Sequence, residues 1–208
     1  MESSKGPKPA GNGCAVVPVF PLPNVYLFPG TVMPLHIFEP RYRRMIEDLL
    51  DRPGRLVLAT ICDGEFDACG RPALLEVGGL GEIGRHERLP DGRFLIWLVG
   101  ISRVRIREVA STHPYRQVEH ETLDEVEVPH AEIGGYESRV RKALLSRSPE
   151  FLNLPEGVPL THLVDLLTQR IPLPGSVMRE LYCEHDLRAR ADRALCEHAL
   201  RPAQPPRA

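Results

Sequence analysis

The amino-acid sequence predicts an α+β fold, in which a twisted antiparallel sheet or small barrel with one inserted helix precedes a helical C-terminal part. Three observations lead to this prediction. Short β-branched runs, punctuated by Gly and Pro, fill residues 15–123. Within them, residues 40–50 carry apolar side chains at helical spacing instead. After Pro129 the apolar period becomes helical.

The first half of the chain contains the runs that are expected to form strands. Clusters of Pro and Gly, which interrupt regular pairing, separate them. The cluster at residues 90–92 (PDG) predicts a tight turn between a strand that includes Ile83 and the strand that begins at Phe94. The strand-forming runs include Val16, Val17 and Val19, residues 56–62, residues 94–99, and Val104 with Ile106.

The inserted helix is expected to begin at Pro40, because proline suits the first helical position. On its polar face Arg43 precedes Glu47 and Arg44 precedes Asp48 by four residues, a spacing worth only about 0.2–0.5 kcal/mol per pair. These pairs therefore indicate a solvated face. The apolar face, which predicts the side packed on the sheet, comprises Tyr42, Met45, Ile46, Leu49 and Leu50.

The C-terminal part is expected to be a helical subdomain packed on the sheet. Pro and Gly at residues 172–175 interrupt it, and Asp186 is placed to cap a last helix. The patterns divide the chain into a disordered segment 1–14, a β-rich domain 15–128, a helical subdomain 129–200 and a disordered tail 201–208. The apolar helical positions are Tyr136, Val140, Leu144, Leu160, Leu163, Val164, Leu167, Val177, Met178, Leu181, Tyr182, Leu187, Ala191, Ala194 and Leu195.

Composition excludes several classes of protein. The net charge of -2 gives no overall attraction for nucleic acid or anionic lipid. No run of about 18 apolar residues could span a membrane, and residues 1–14 do not resemble a signal peptide. Five cysteines, an odd number, are typical of reduced thiols rather than a disulfide framework. We therefore expect a cytoplasmic protein with no membrane contact.

A series of ordered motifs resembles the substrate-binding domain at the amino terminus of Lon-type proteases. The series runs through residues 18–24 (PVFPLPN), 27–30 (LFPG), 34–42 (PLHIFEPRY), 76–78 (EVG), 89–93 (LPDGR) and 100–106 (GISRVRI). The resemblance implies a β-rich pseudo-barrel related to RNA-binding PUA domains, followed by a helical bundle. It also implies recognition without catalysis, because the chain stops before the ATPase and Ser-Lys peptidase modules of such proteases would begin. We therefore expect a free-standing family member that is not an enzyme.

Three motifs could indicate a cofactor or metal site, but each lacks the local structure that such a site needs. Residues 79–84 (GLGEIG) match GxGxxG, but a turn follows where a helix would have to hold a pyrophosphate. Cys183 with His185, and Cys196 with His198, are two residues apart, which on a helix places them roughly 200° around from each other. Neither pair can chelate a metal alone, and no nucleophile turn suits a Cys-His hydrolase. The sequence predicts no cofactor, no metal and no catalytic residue.

The candidate contact surface is the loop of residues 20–28 together with the helix start at residues 39–44. Apolar side chains crowd around three prolines in this loop, which can present rigid apolar surface at low entropic cost. Part of the loop must also pack inward, and Tyr26 is expected to be outermost because its hydroxyl tolerates water. The candidate polypeptide-binding residues are Leu22, Val25, Tyr26, Leu27, Phe28, Glu39, Arg41 and Arg44.

The leading hypothesis is a module that binds exposed hydrophobic segments of unfolded or client proteins. It leaves open a role as an adaptor for a separate protease or chaperone, as a holdase or as a small-molecule sensor, and it leaves open a monomer or a weak dimer. RNA binding is the alternative, because Arg103, Arg105 and Arg107 alternate along a strand and so share one face. The same stripe is, however, more typical of the solvated face of a half-buried strand.

Overall fold

The computed structural model describes residues 15–201, apart from the side chain of Asp63. The expectations of disorder for residues 1–14 and 202–208 lie outside this range. The strands are β1 (Ala15–Pro23), β2 (Val32–Ile37), β3 (Arg55–Phe66), β4 (Pro72–Leu74), β5 (Val77–Arg88), β6 (Phe94–Val109) and β7 (Gln117–Thr122). The α-helices are α1 (Pro40–Leu50), α2 (His130–Arg147), α3 (Leu160–Arg170), α4 (Gly175–Cys183) and α5 (Leu187–Leu200), with a 3₁₀ helix at Pro149–Asn153.

Five strands close into a barrel in the order β1, β7, β6, β5 and β3, and the ring is completed by β1 pairing with β3. This confirms the predicted β-rich barrel with one inserted helix and a helical C-terminal part. The closing pair is parallel, with Val19 beside Val57, which the expectation of an antiparallel sheet did not include. A parallel pair needs a long crossover between its strands, and β2 with α1 supplies it.

Two short strands extend the barrel wall, and the sequence analysis did not identify either. β2 pairs with the first half of β6, from Val32 beside Val99 to Ile37 beside Phe94. β4 pairs with the far end of β3. The predicted turn at residues 90–92 is confirmed: it joins β5 to β6, and the Leu89 amide donates to the Arg93 carbonyl at 2.8 Å.

Helix α1 closes one end of the barrel core. It begins at Pro40 as predicted, and its buried residues Tyr42, Met45, Ile46 and Leu49 pack with Phe20, Leu27, Phe94 and Leu98 from the strands. Leu50 was expected on this face but is 37% exposed, because it lies at the helix end. Of the two predicted polar pairs, Arg44 bonds Asp48 at 2.9 Å, whereas Glu47 pairs with Arg88 of β5 at 3.3 Å.

The helical part has its own core and is joined to the barrel by Tyr182 of α4. Predicted apolar positions of α2, α3 and α5 form that core, and Asp186 accepts a hydrogen bond from the Ala189 amide at 3.0 Å as the expected cap. Tyr182 packs with Phe28, Cys62 and Val77 of the barrel. Its hydroxyl donates to the Leu27 carbonyl at 2.9 Å. One side of the barrel is therefore completed by the helices.

Truncation after Pro129 is expected to give an aggregating product. Loss of α4 would uncover Phe28 and Val77 and would leave the Leu27 carbonyl without its Tyr182 donor. Size-exclusion chromatography and thermal unfolding of residues 15–129 check this. A soluble fragment that unfolds cooperatively would show instead that the β-rich domain is independent of the helical one.

Candidate functional site

A groove of about 1000 Å³ opens on the barrel surface beside the start of α1. Four segments form its walls: the end of β1, the start of α1, the connection of β3 to β4, and the connection of β6 to β7. It brings together three of the predicted binding residues, Leu22, Glu39 and Arg41. Its lining residues are Pro21, Leu22, Pro23, Glu39, Arg41, Tyr42, Ile61, Asp67, Ala68, Cys69, Arg71, Pro72, Glu108, Val109, Ala110, Ser111, His113, Pro114, Tyr115 and Arg116.

The end of β1 gives the groove an apolar wall that resists strand addition. β7 pairs with β1 only up to Pro18, whereas β3 pairs with it as far as Pro23. One edge of β1 therefore lacks a strand partner beyond this point among the described residues. Pro21 and Pro23 have no amide N–H to offer there, so this edge cannot template another strand. What it presents is the two rings and the Leu22 side chain.

The start of α1 contributes an aromatic ring covered by a guanidinium group. Arg41 lies 4.6 Å from the centre of the Tyr42 ring, and its Nη2 lies 2.8 Å from a carboxylate oxygen of Glu39. The Tyr42 ring packs edge-on against Phe20, with ring centres 4.6 Å apart, and burial raises the pKa of its hydroxyl. The ring is thus fixed in place, and the charge of Arg41 is compensated by its neighbour.

An ion cluster also lines the groove. Arg116 donates to both carboxylate oxygens of Glu108, and Arg71 lies 2.8 Å from the same carboxylate. Arg71 also donates to Asp67 at 2.9 Å, and the backbone amide of Arg71 is the main cause that lowers the pKa of Asp67. Two guanidinium groups thus balance two carboxylates. The groove therefore offers apolar contacts and little uncompensated charge.

Tyr115 and His113 close the far end of the groove. Their rings stack with centres 4.8 Å apart, and the Tyr115 hydroxyl donates to Asp48 at 2.9 Å. Burial, together with this carboxylate, raises the pKa of Tyr115 to about 12. The same two rings line a second cavity of about 290 Å³ on the side of β1 and β7.

The structure corrects part of the predicted contact loop. Leu27 and Phe28 are fully buried, so neither side chain can contact a ligand in this conformation. Their backbone crosses strands β5 and β6 at glycines: a Cβ on Gly79 would lie 2.4 Å from the Leu27 carbonyl oxygen, and one on Gly100 would lie 2.1 Å from that of Phe28. Glycines inside strands often mark the close approach of another backbone. Gly79 and Gly100 were therefore the sequence signal for this crossing.

The remaining predicted residues divide between the barrel core and the surface. Tyr26 is not outermost, because its ring packs 5.1 Å from that of Tyr182 and burial raises the pKa of its hydroxyl. Pro23 and Asn24 are the exposed residues of the loop. Val25 is half-buried against the barrel core. Arg44 is exposed and bonds Asp48 outside the groove.

The predicted arginine stripe does not form as a unit. Arg103 is only 5% exposed and donates to the Tyr182 and Glu184 carbonyls at 2.7 and 2.8 Å. It is therefore a structural link between β6 and the helical part. Arg105 and Arg107 remain exposed.

Arg103 belongs to a buried ion network that the sequence analysis missed. Glu125 lies 2.5 Å from Arg103 and 2.6 Å from Arg190 of α5. Arg190 also lies 3.4 Å from Asp165 of α3, and burial raises the pKa of that carboxyl to about 7. Arg190 follows Leu187 by three residues and so falls on the apolar face of α5, which was the available signal. The network ties β6, α3 and α5 together.

Among the side chains that the structure describes in residues 15–201, no three His, Cys, Asp or Glu residues are placed to hold a metal ion. Within the same residues, no helix is long and apolar enough to cross a membrane.

The family model of the ATP-dependent protease La (LON) substrate-binding domain matches residues 16–196. The chain belongs to this family. Lon protease 2 of Sorangium cellulosum is 30% identical over 144 residues, which are 69% of this chain and 17% of that protein. Lon protease of Chloroherpeton thalassium is 26% identical over 188 residues, which are 86% of this chain and 22% of that protein. The chain thus spans about a fifth of the length of these relatives.

Solved Lon domains share the fold of this chain. The N-terminal domain of Mycobacterium avium complex Lon protease superposes with a TM-score of 0.68 at 19% identity, covering 89% of this chain and 98% of that one. A Lon N-terminal domain protein from Xanthomonas campestris gives 0.63 at 22% identity, covering 88% and 98%. These likenesses establish the fold, and the family model confirms the resemblance seen in the sequence motifs.

Proposed function

We propose that the chain is a non-catalytic polypeptide-recognition module whose groove binds exposed apolar segments of unfolded proteins. The observation that carries the proposal is the groove itself, which is lined by the apolar end of β1 and by ion pairs that are already compensated. Its volume of about 1000 Å³ is at the upper end of what small-molecule sites reach, and suits an extended segment of chain. The family is described as a substrate-binding domain, which supports a recognition role.

The physical basis of selectivity is exposure. Unfolded chains display aliphatic and aromatic side chains that native proteins bury, so a shallow apolar groove binds them in preference. Fixed prolines in the wall lower the ordering cost on the side of this protein. The bound segment must itself be ordered, so the affinity is modest. In a cell such a module would act as an adaptor that presents clients to a separate protease or chaperone.

The polar groups of the groove suit binding better than catalysis. The Ser111 hydroxyl donates to the Tyr115 carbonyl at 3.0 Å, and the His113 imidazole is stacked on the Tyr115 ring. Among the described groove residues, no hydrogen bond joins that imidazole to Ser111 or to Cys69. A nucleophile with an adjacent base, which acyl transfer requires, is not assembled.

Replacing Leu22 with serine is expected to weaken binding to an unfolded protein at least about fivefold, the factor that corresponds to an interface side chain worth about 1 kcal/mol. The probe is reduced and carboxymethylated α-lactalbumin, which cannot refold, and binding is measured by fluorescence anisotropy. Leu152→Ser is the matched control, because Leu152 is 74% exposed on the 3₁₀ helix and lies outside the groove. Equal binding by the two variants would exclude the groove as the site.

Replacing Arg105 and Arg107 together with glutamine is expected to leave binding to the same unfolded protein unchanged. Both residues lie outside the groove, and apolar capture does not depend on their charge. Raising the salt concentration should likewise preserve or strengthen binding, whereas contacts to phosphate weaken steeply. Loss of binding in this double variant, or abolition of binding by salt, would favour the RNA alternative. In that alternative only Arg105 and Arg107 of the stripe could contact RNA, because Arg103 is buried.

A further inference from the structure

One wall of the groove is only loosely part of the barrel. Residues 64–72, which we call the β3–β4 arm, join the two strands, and the β3–β4 ladder has an irregularity between its Ile61–Leu74 and Phe66–Pro72 pairs. Every residue of the arm is exposed except Asp67, which is half-buried. Apolar packing therefore does not hold this wall in place, and a segment with few buried apolar contacts opens easily.

The arm is nevertheless rigid within itself. One carboxylate oxygen of Asp67 accepts from the backbone amides of Cys69 and Arg71 at 2.9 and 2.8 Å. The Gly70 amide donates to the Asp67 carbonyl at 2.9 Å. At the base of the arm, Gly64 has a φ of 75° and open space around it, which leaves room for a rotation there. These bonds hold residues 67–71 in one turn, and Gly64 lies at the base of the arm.

Polar contacts from one cluster attach the arm to the barrel. Glu108 and Arg116, both on the barrel, form a two-pronged ion pair, and the Arg116 side chain is only 13% exposed. From this fixed pair, Arg116 donates to the Pro72 carbonyl at 2.9 Å, and Glu108 lies 2.8 Å from Arg71. A second nitrogen of Arg116 lies 3.8 Å from Asp67. The arm is therefore held against the barrel by polar contacts of Asp67, Arg71 and Pro72, in addition to its chain connections to β3 and β4.

We infer that the β3–β4 arm is a hinged wall of the groove, and that Glu108 and Arg116 are positioning residues that hold it for polypeptide binding. The inference rests on the proposed function. With the arm docked, the groove is preformed and the bound segment alone is ordered on binding. With the arm released, binding must order the arm as well, which lowers the affinity.

The test compares Glu108→Gln with the wild-type chain. Arm motion is followed by electron paramagnetic resonance of a nitroxide on Cys69, with Cys14 and Cys196 replaced by serine, and affinity for carboxymethylated α-lactalbumin is measured on unlabelled protein. The nitroxide is expected to become more mobile, and the dissociation constant to rise about five- to tenfold. Arg71→Gln, an exposed change on the arm itself, should act in the same direction without endangering the barrel fold.

Glu119→Gln is the matched control, because this glutamate of β7 pairs with the exposed Arg107 and does not line the groove. It should change neither measurement. Unchanged nitroxide mobility in both Glu108→Gln and Arg71→Gln would overturn the inference, and so would greater mobility with unaltered affinity. If the wild-type chain fails to bind the unfolded protein at all, the proposed function falls together with the positioning role. If only the variants fail to differ from wild type, the proposed function stands.

Discussion

Gly100→Ala is expected to destabilise the protein by about 3 kcal/mol or more, at the upper limit of what overpacking a core costs. The added Cβ would lie 2.1 Å from the carbonyl oxygen and 3.0 Å from the carbonyl carbon of Phe28. These are backbone atoms, so they cannot swing aside as the end of a side chain could. Relief requires moving residues 27–28, which would pull Leu27 and Phe28 out of the core. Urea unfolding monitored by circular dichroism gives the free energy of unfolding.

Gly134→Ala supplies the control for this change. Gly134 is exposed within α2, and apart from its chain neighbours and the local helix backbone no atom lies within 4 Å of the position its Cβ would take. Alanine there should stabilise the helix by up to about 1 kcal/mol, the difference in helix propensity. If Gly100→Ala were as stable as the wild-type chain, the crossing of residues 27–28 would be easily displaced. Leu27 and Phe28 would then return as candidate contact residues.

The helical part could be predicted from local sequence because its signals are short-range. An apolar side chain every three or four residues determines which face of α2 or α3 is buried, and Asp186 caps α5 through a bond to a residue three positions away. The start of α1 at Pro40 is of the same kind. For such helices, the residues that cause the structure lie within a few positions of one another in the sequence. The barrel as a class followed similarly from the spacing of β-branched runs and turns.

The burial of the contact loop could not be predicted from its composition. An apolar, proline-rich segment suits a binding surface and a barrel core equally well, and the choice depends on strands 50 to 80 residues away that carry Gly79 and Gly100. The burial of Arg103 could not be predicted either. The alternation along β6 predicts that it shares an exposed face with Arg105 and Arg107, but its burial depends on partners from α4 and from the segment before α2. Sequence reasoning located the groove in part, through Leu22, Glu39 and Arg41, and missed its ion cluster entirely.

The buried ion network joins the two parts of the protein through a single carboxylate. Glu125 is the partner of both Arg103 and Arg190, and it also accepts from the Thr161 hydroxyl at 2.6 Å. Arg190 is 0% exposed, so water cannot replace a lost partner. Asp165 lies nearby, but burial raises its pKa to about 7, so near neutral pH it supplies only part of a negative charge. Most of the compensating charge therefore resides on Glu125.

Glu125→Ala is accordingly expected to cost about 3–5 kcal/mol of the free energy of unfolding, the range for removing one member of a buried ion pair. The loss comes from two guanidinium groups, 4% and 0% exposed, that are left without their carboxylate. Glu150→Ala is the control, because it removes the carboxylate 2.9 Å from Arg170 in a pair whose two side chains are 55% and 51% exposed. That change should stay within about 1 kcal/mol. The free energy of unfolding of both variants is measured by chemical denaturation at neutral pH. Equal and small losses would mean that the Tyr182 and Glu184 carbonyls alone satisfy Arg103 and Arg190. The packing of Tyr182 would then hold the two parts of the protein together.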